Sequence, residues 1–293
     1  MELSIENLTK SYGRGKPVLS GLNLKVDGSG ITAIIGSSGA GKSTLLRCIN
    51  RLIEPDSGTV RLNDVELTAL KGAALRKARR SIGMIFQSFN LLDRLTVMEN
   101  VLAGRLGYVN FWQASSRRYP QADINRAYEL LELVGMEEFV NQRASRLSGG
   151  QRQRVGVVRA LMQQPSILLA DEPTASLDPR TSLQIMELLQ DIAGNLGLPV
   201  IINIHNVDQA RTYTDRIVGL RYGHIIFDGT PADLDEAALD AIYDGKDWNE
   251  EPEEPGSGNG GPTGSSSGGS RSTRGSGSSG GKDTKRELEG ARA

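Results

Sequence analysis

The amino-acid sequence predicts an α/β protein. It has a parallel-sheet core, an antiparallel β subdomain near the N-terminus and an inserted helical subdomain. Three observations predict this. Four near-continuous apolar runs each stop at a polar or glycine residue, as strands buried on both faces of a parallel sheet do. The N-terminal runs alternate instead, as half-buried antiparallel strands do. Between the second and third apolar runs the pattern changes to a helical period.

In chain order, Leu3, Ile5 and Leu8, then Leu22, Leu24 and Val26, then Val60 and Leu62 mark the alternating strands. Ile31-Thr32-Ala33-Ile34-Ile35 is the first core strand. It runs into Gly36-Ser37-Ser38-Gly39-Ala40-Gly41-Lys42-Ser43-Thr44, which fits G-x-x-x-x-G-K-[ST]. Glycines leave the backbone N–H groups free to approach phosphates. A helix expected over residues 42–50 aims its positive dipole end at the same place. In this pattern Lys42 reaches the β- and γ-phosphates, and Ser43 places its hydroxyl on Mg²⁺. A bound ATP or GTP is the minimum implication.

Ile82-Gly83-Met84-Ile85-Phe86 is the second core strand and stops at Gln87. Residues 88–164 then read as the helical subdomain, with Ile124, Ala127, Leu130, Leu131 and Val134 at helical spacing. Phe89, Leu91 and Leu92 line either a groove beside Gln87 or the core of that subdomain. Leu147-Ser148-Gly149-Gly150-Gln151 opens a helix expected over residues 151–164, whose apolar face is Val155, Val158, Leu161 and Met162. Ser148 there reads either as an ordinary N-cap or as part of a second anion-binding helix start.

Ile167-Leu168-Leu169-Ala170 leads to Asp171 and Glu172, with Pro173 beyond. One carboxylate of such a pair can hold a metal, and its neighbour can orient and deprotonate water. Val200-Ile201-Ile202-Asn203-Ile204 ends at His205. Residues 217–220 and 225–227 form a hairpin turning at Tyr222-Gly223, and His224 is placed in that turn without a role. Ligands of parallel sheets gather beyond the carboxyl ends of the strands, so the phosphate loop, Gln87, Asp171 and His205 should converge on one crevice.

Bulk properties narrow the class. The formal net charge is -1, which gives no support to a nucleic-acid partner. Cys48 is the one cysteine among 293 residues, so no internal disulfide forms; its apolar neighbours mark it as a buried structural thiol. There is no basic leader and no run near the ~20 apolar residues of a membrane helix. A cytoplasmic protein that meets a membrane only through a partner is expected. The folded domain is expected over residues 1–247. The acidic and Gly/Ser-rich stretch 248–293 is expected to be disordered, because it offers almost no apolar area against its ordering entropy.

The loop of residues 36–44, Gln87, the segments 147–151 and 167–172, and His205, in this order and spacing, resemble the ATP-binding cassette of ABC proteins over residues 2–245. The resemblance implies a P-loop NTPase fold with a RecA-like core, and ATP with Mg²⁺ as the bound pair. It implies that Asp171 and Ser43 attend the metal, that Gln87 contacts the metal or the attacking water beside a groove that receives a membrane subunit, and that Glu172 is the general base. His205 is then the switch histidine at the γ-phosphate, and Tyr12 stacks on adenine, although an isolated tyrosine is more often packing. Ser148, Gly149, Gly150 and Gln151 would close over the γ-phosphate held by a second copy in a head-to-tail dimer. Ser176-Leu177-Asp178 resembles the loop that communicates across that dimer.

A single cassette resembles the detached ATPase subunit of an importer. Residues 102–108 with Trp112, 203–210, 215–220 and 227–229 are most similar to phosphonate importers. That likeness implies a membrane permease, an extracytoplasmic substrate-binding protein and a peripheral place on the cytoplasmic face of the cell membrane. Asn206 departs from the acidic residue many cassettes carry after the histidine. Two alternatives stay open: a soluble ABC ATPase in a phosphonate-processing complex, and an ABC transporter ATPase for another substrate.

Overall fold

The computed structural model describes residues 1–243 except 14 and 117. Contacts divide the chain into Met1–Pro252 and Glu253–Ala293, and every described residue belongs to the first unit. The stretch 248–293, expected to be disordered, lies outside the described residues, as does the expected domain limit at 247.

Alternating side chains build a first, antiparallel sheet. Strands β1 (Glu2–Lys10) and β2 (Leu19–Asp27) pair with Leu3 opposite Val26 and Ile5 opposite Leu24. The second sheet begins with β3 (Ile31–Ile35). Strands β4 (Ser57–Leu62) and β5 (Val65–Glu66) complete the first in the order β2-β1-β4-β5.

The remaining strands are β6 (Ile82–Ile85), β7 (Ile167–Asp171), β8 (Val200–Asn203), β9 (Arg216–Arg221) and β10 (His224–Gly229). Their order is β10-β9-β3-β8-β7-β6, parallel throughout except for β10. The hairpin expected near the end is present, but β9 also joins the parallel sheet beside β3, with Ala33 opposite Ile217. His224 is not in the turn. It opens β10 opposite Arg221, because Tyr222 (φ 46°) and Gly223 (φ 80°) supply the two left-handed residues a tight hairpin needs.

Continuous apolar runs are required because this sheet is covered on both faces. Ile34, Met84, Leu169, Ile201 and Val218 point into the core beneath the antiparallel sheet, together with Leu45, Leu46 and Cys48. Their strand neighbours Ala33, Ile35, Ile85, Leu168, Ala170 and Ile202 point into a second core made with helices. Cys48 is fully buried, and desolvation pushes its thiol up to about 11, as suits an inert structural cysteine.

The helices are α1 (Lys42–Ile49), α2 (Gly72–Ala78), α3 (Val97–Leu102), α4 (Phe111–Ser115), α5 (Gln121–Leu133), α6 (Gly149–Leu161), α7 (Pro179–Leu196), α8 (Val207–Tyr213) and α9 (Glu236–Tyr243). Between β6 and β7 the described residues form α3 to α6 with short 3-10 turns, and none joins either sheet.

The expected start of α6 is corrected from residue 151 to Gly149 and its end from residue 164 to Leu161. Ser148 and Gln151 form a reciprocal capping box, which draws both glycines into the first helical turn. Helix α1 likewise ends one residue early, with Asn50 as its C-cap. Of the three apolar residues after Gln87, Leu91 packs against the helical core and Leu92 is exposed. Phe89 is half-buried in a left-handed conformation (φ 60°), its ring centroid 5.7 Å from the Arg152 guanidinium.

Asn100 anchors the connection from this loop into α3. It is 1% exposed; its Oδ1 accepts from Leu92 N (2.8 Å), and its Nδ2 donates to Leu92 O (3.1 Å) and Thr96 O (2.9 Å). Asn100→Leu leaves those backbone groups without their partner. It is expected to lower unfolding free energy in urea by about 2–3 kcal/mol. A loss under about 0.5 kcal/mol would mean water replaces the amide at no cost.

Candidate active site

Strand register brings the expected residues together. Ile34 pairs with Asn203 and Asn203 with Asp171, so β3, β8 and β7 end level, and β6 follows with Ile85 opposite Ala170. The loop after β3, Glu172 after β7, His205 after β8 and Gln87 after β6 therefore project from the same edge.

The loop after β3 depends on glycine at two points. Gly36 has φ 148°, and a Cβ there would stand 2.2 Å from the Leu220 carbonyl oxygen. Gly41 has φ 107°, is the N-cap of α1, and would bring a Cβ within 2.8 Å of Val18 O. These left-handed turns let the backbone fold over the start of α1, with Ser37, Ser38, Gly39, Ala40 and Thr44 completing the segment.

Lys42 is 4% exposed, and its ammonium donates to Gly36 O (2.7 Å) and Ser37 O (3.2 Å). Burial pushes its pKa below the ordinary lysine value, while the Glu172 and Asp171 charges oppose that shift. The cation thus fills the hollow of its own loop.

Asp171 is 2% exposed and accepts from three side chains. Ser43 Oγ donates to its Oδ1 at 2.7 Å, Asn203 Nδ2 to the same oxygen at 2.8 Å, and Arg47 Nη2 to Oδ2 at 3.1 Å. One buried carboxylate beside one hydroxyl is a hard, all-oxygen donor set with few protein ligands. That fits Mg²⁺, which keeps several waters and shares its sphere with phosphate oxygens. No group of three or more His, Cys, Asp or Glu suited to a metal occurs among the described residues, so no closed protein cage competes with this reading.

Glu172 sits in the left-handed region (φ 50°), where a non-glycine residue carries strain. Its Oε1 lies 2.5 Å from His205 Nε2. This contact is the first cause holding the carboxyl below its ordinary pKa, with the His205, Lys42 and Arg47 charges adding to it against desolvation. With the proton on Nε2, the imidazole donates to the carboxylate.

Gln87 is exposed two residues past the end of β6. Tyr12 is 53% exposed, so its ring is not the packing residue an isolated tyrosine suggests; its hydroxyl lies 3.4 Å from Thr44 Oγ1.

Ser148, Gly149, Gly150 and Gln151 lie elsewhere in the chain's bonding. No hydrogen bond among the described residues joins them to the loop after β3. Ser148 is the N-cap, so the ordinary structural reading of that serine holds within one copy. Gly150 has a packing reason as well: a Cβ would meet Thr181 Cγ2 at 2.3 Å, where α6 abuts the start of α7. Asp178 is the N-cap of α7, accepting from Thr181 N at 3.1 Å with Pro179 at the first position.

Sequence reasoning missed Arg47 and Asn203. A signal existed for Arg47, which follows Ser43 by four residues and so shares its helix face. Asn203 lay inside an apolar run; as the one amide in that strand it was the odd residue to question.

Comparison with known proteins gives a consistent picture. A family model described as ABC transporter matches residues 19–175. The chain is 67% identical over 243 residues to a phosphonates import ATP-binding protein of Ruegeria sp. (strain TM1040), covering 83% of this chain and 95% of that protein. It is 55% identical to the protein of the same name from Nitratidesulfovibrio vulgaris, covering 84% and 93%.

Among solved structures it is similar to an ATP-binding cassette captured as a dimer in a post-hydrolysis state with ADP and Pi. The TM-score is 0.69 and the identity 35%, over 78% of this chain and 98% of that one. A second cassette, in an ADP conformation, gives a TM-score of 0.72 at 28% identity, over 84% and 100%.

Gly36→Ala tests the loop geometry directly. The added methyl meets backbone rather than a flexible side chain, so stability is expected to fall by about 2 kcal/mol or more, and nucleotide affinity with it. An unshifted melting temperature would show that β9 yields at Leu220.

Proposed function

The chain belongs to the ABC transporter family of ATP-binding cassettes, and from that membership we propose that it is the ATP-hydrolysing subunit of an import complex. ATP binding and hydrolysis in a head-to-tail dimer would drive uptake of phosphonate, or a related anion, through a partner permease. The observation that carries the substrate is the 67% identity across 95% of the Ruegeria phosphonates import protein.

Lys42 leaves the carbonyls of Gly36 and Ser37 for the β- and γ-phosphates, exchanging two neutral acceptors for charged ones. Glycine-framed N–H groups of residues 36–41 and the start of α1 supply the rest of the cradle. The exposed Tyr12 ring beside Thr44 is available to the adenine face. Ser43, Asp171 and Gln87 hold Mg²⁺, which when bound neutralises phosphate charge in the transition state.

Glu172 is the general base. While His205 donates to it, the carboxylate is a weaker base and one of its oxygens is occupied. Transfer of the His205 N–H to the γ-phosphate frees that oxygen for water and raises its basicity at the same moment. Hydrolysis is thereby tied to the presence of the phosphate.

Ser148, Gly149, Gly150 and Gln151 are assigned to the second copy's γ-phosphate. Their helix start, exposed at Ser148, half-buried beyond it and with no hydrogen bond to the phosphate loop of its own chain, supports that role, as does the dimeric cassette with ADP and Pi.

No helix of the described residues is long and apolar enough to cross a membrane. The membrane link in this reading is a permease docked beside Gln87. An extracytoplasmic substrate-binding protein feeds it, and this chain is peripheral on the cytoplasmic face. Nucleic acid has no part in the reading, in keeping with the net charge of -1.

Glu172→Gln is expected to bind ATP as the parent does, hydrolyse it at least about 100-fold more slowly, and accumulate as a closed dimer on a sizing column. Unchanged turnover would remove Glu172 from the role of base. Ser148→Arg is expected to abolish turnover and ATP-dependent dimerisation while ADP binding by the monomer persists. For the transport reading, the chain captured from gently solubilised membranes should bring a multi-span permease. ATP hydrolysis by that complex should respond to phosphonate more than to phosphate; recovery of soluble partners alone sinks it.

A further inference from the structure

The site contains one cation that the hydrolysis scheme does not use. Arg47 lies one turn beyond Ser43 on the same face of α1 and donates to Asp171 Oδ2 at 3.1 Å. With Ser43 and Asn203 on Oδ1, both oxygens of the carboxylate are engaged.

The two partners differ sharply in freedom. The Asp171 side chain is 3% exposed and fixed at the end of a central strand, whereas that of Arg47 is 47% exposed and can turn into solvent. The surrounding charges matter as much. Lys42 is buried in the loop beside this carboxylate, and Glu172 is already paired with His205. A divalent cation approaching Asp171 meets Lys42 and Arg47, two positive charges that offset those of Asp171 and Glu172. The negative charge that tips the sum must arrive on phosphates.

We propose that Arg47 is a positioning residue that makes metal loading conditional on nucleotide. It holds Asp171 in place and opposes capture of Mg²⁺ until phosphates are in the loop. This rests on the reading of Ser43 and Asp171 as metal-holding groups. A buried carboxylate needs a countercharge in every state of the cycle, and Arg47 supplies it before the metal does. Because the arginine end is half-exposed, it yields at low cost once Mg²⁺·ATP is present.

The test is a Mn²⁺ titration of the full-length chain followed by electron paramagnetic resonance, with and without ADP. Parent, Arg47→Gln, Arg47→Met and Arg47→Lys are compared, each checked by circular dichroism. Removing the charge is expected to tighten Mn²⁺ binding roughly fivefold or more, the size of one screened unit-charge repulsion. The gain should be greatest without ADP, so the ratio of Mn²⁺ affinities with and without ADP shrinks. Arg47→Lys keeps the charge and should stay within about twofold of the parent.

Equal Mn²⁺ affinity in the parent and both neutral variants overturns the gate while leaving the metal site standing. Failure of both neutral variants to fold makes Arg47 a structural counter-ion and also overturns it. If even the parent binds no Mn²⁺ in the presence of ADP, the metal reading of Ser43 and Asp171 falls, and the gate with it.

Discussion

The buried carboxylate of Asp171 is the constraint around which the rest is arranged. A carboxyl side chain that is 2% exposed at the end of a central strand needs hydrogen-bond partners on both oxygens. Those donors come from two places that the fold must bring within about 3 Å. Ser43 and Arg47 come from α1, and Asn203 from the neighbouring strand β8. Satisfying one carboxylate therefore fixes where α1 begins, and with it where the loop of residues 36–41 points. The level strand ends are the other half of the same condition, because a one-residue slip of β8 would turn Asn203 away.

Sequence reading succeeded where a physical requirement falls on contiguous residues. The four core strands were legible because burial on both faces makes them almost wholly apolar, and each run stops near where the chain leaves the sheet. The glycines after β3 were legible because left-handed backbone beside Leu220 O and Val18 O admits little else. Requirements shared between distant segments were not legible. That β9 would lie parallel to β3 depends on pairing across more than 180 residues, and nothing local to 216–221 declares it. Asn203 answers to Asp171, 32 positions away, and so passed as an ordinary strand residue. The start of α6 was misjudged for a different reason. Two glycines read as a helix boundary, yet the reciprocal bonds of Ser148 and Gln151 outweigh their poor propensity and carry them into the first turn.

Residues assigned a role in the proposed function also have structural work in the fold, which limits how each can be varied. Gly150 packs α6 against Thr181 and also leaves the helix start open. Asp178 caps α7 through Thr181 N, so a loop resembling a dimer contact is at the same time the fold's own helix start. Loss of either would damage two functions through one contact, since α6 and α7 meet at that point. A substitution there cannot be read as a binding defect until its stability is measured.

The functional side chains of the site are bonded within it, with Asn203 Oδ1 left without a partner. Lys42 bonds its own loop, Asp171 is held by three side chains, and Glu172 is closed by His205. On the proposed function, affinity for Mg²⁺·ATP is then a difference: each new bond to phosphate or metal would replace one the protein already had. Such exchange weakens ground-state binding relative to an open, unpaired site. On the proposed function it has a compensating effect on catalysis, because the groups released in turn are those the reaction would use: Lys42 for phosphate, Asp171 for metal and Glu172 for water. Interactions that become available only as the reacting assembly forms favour the transition state over the resting cassette, and that difference is what raises turnover.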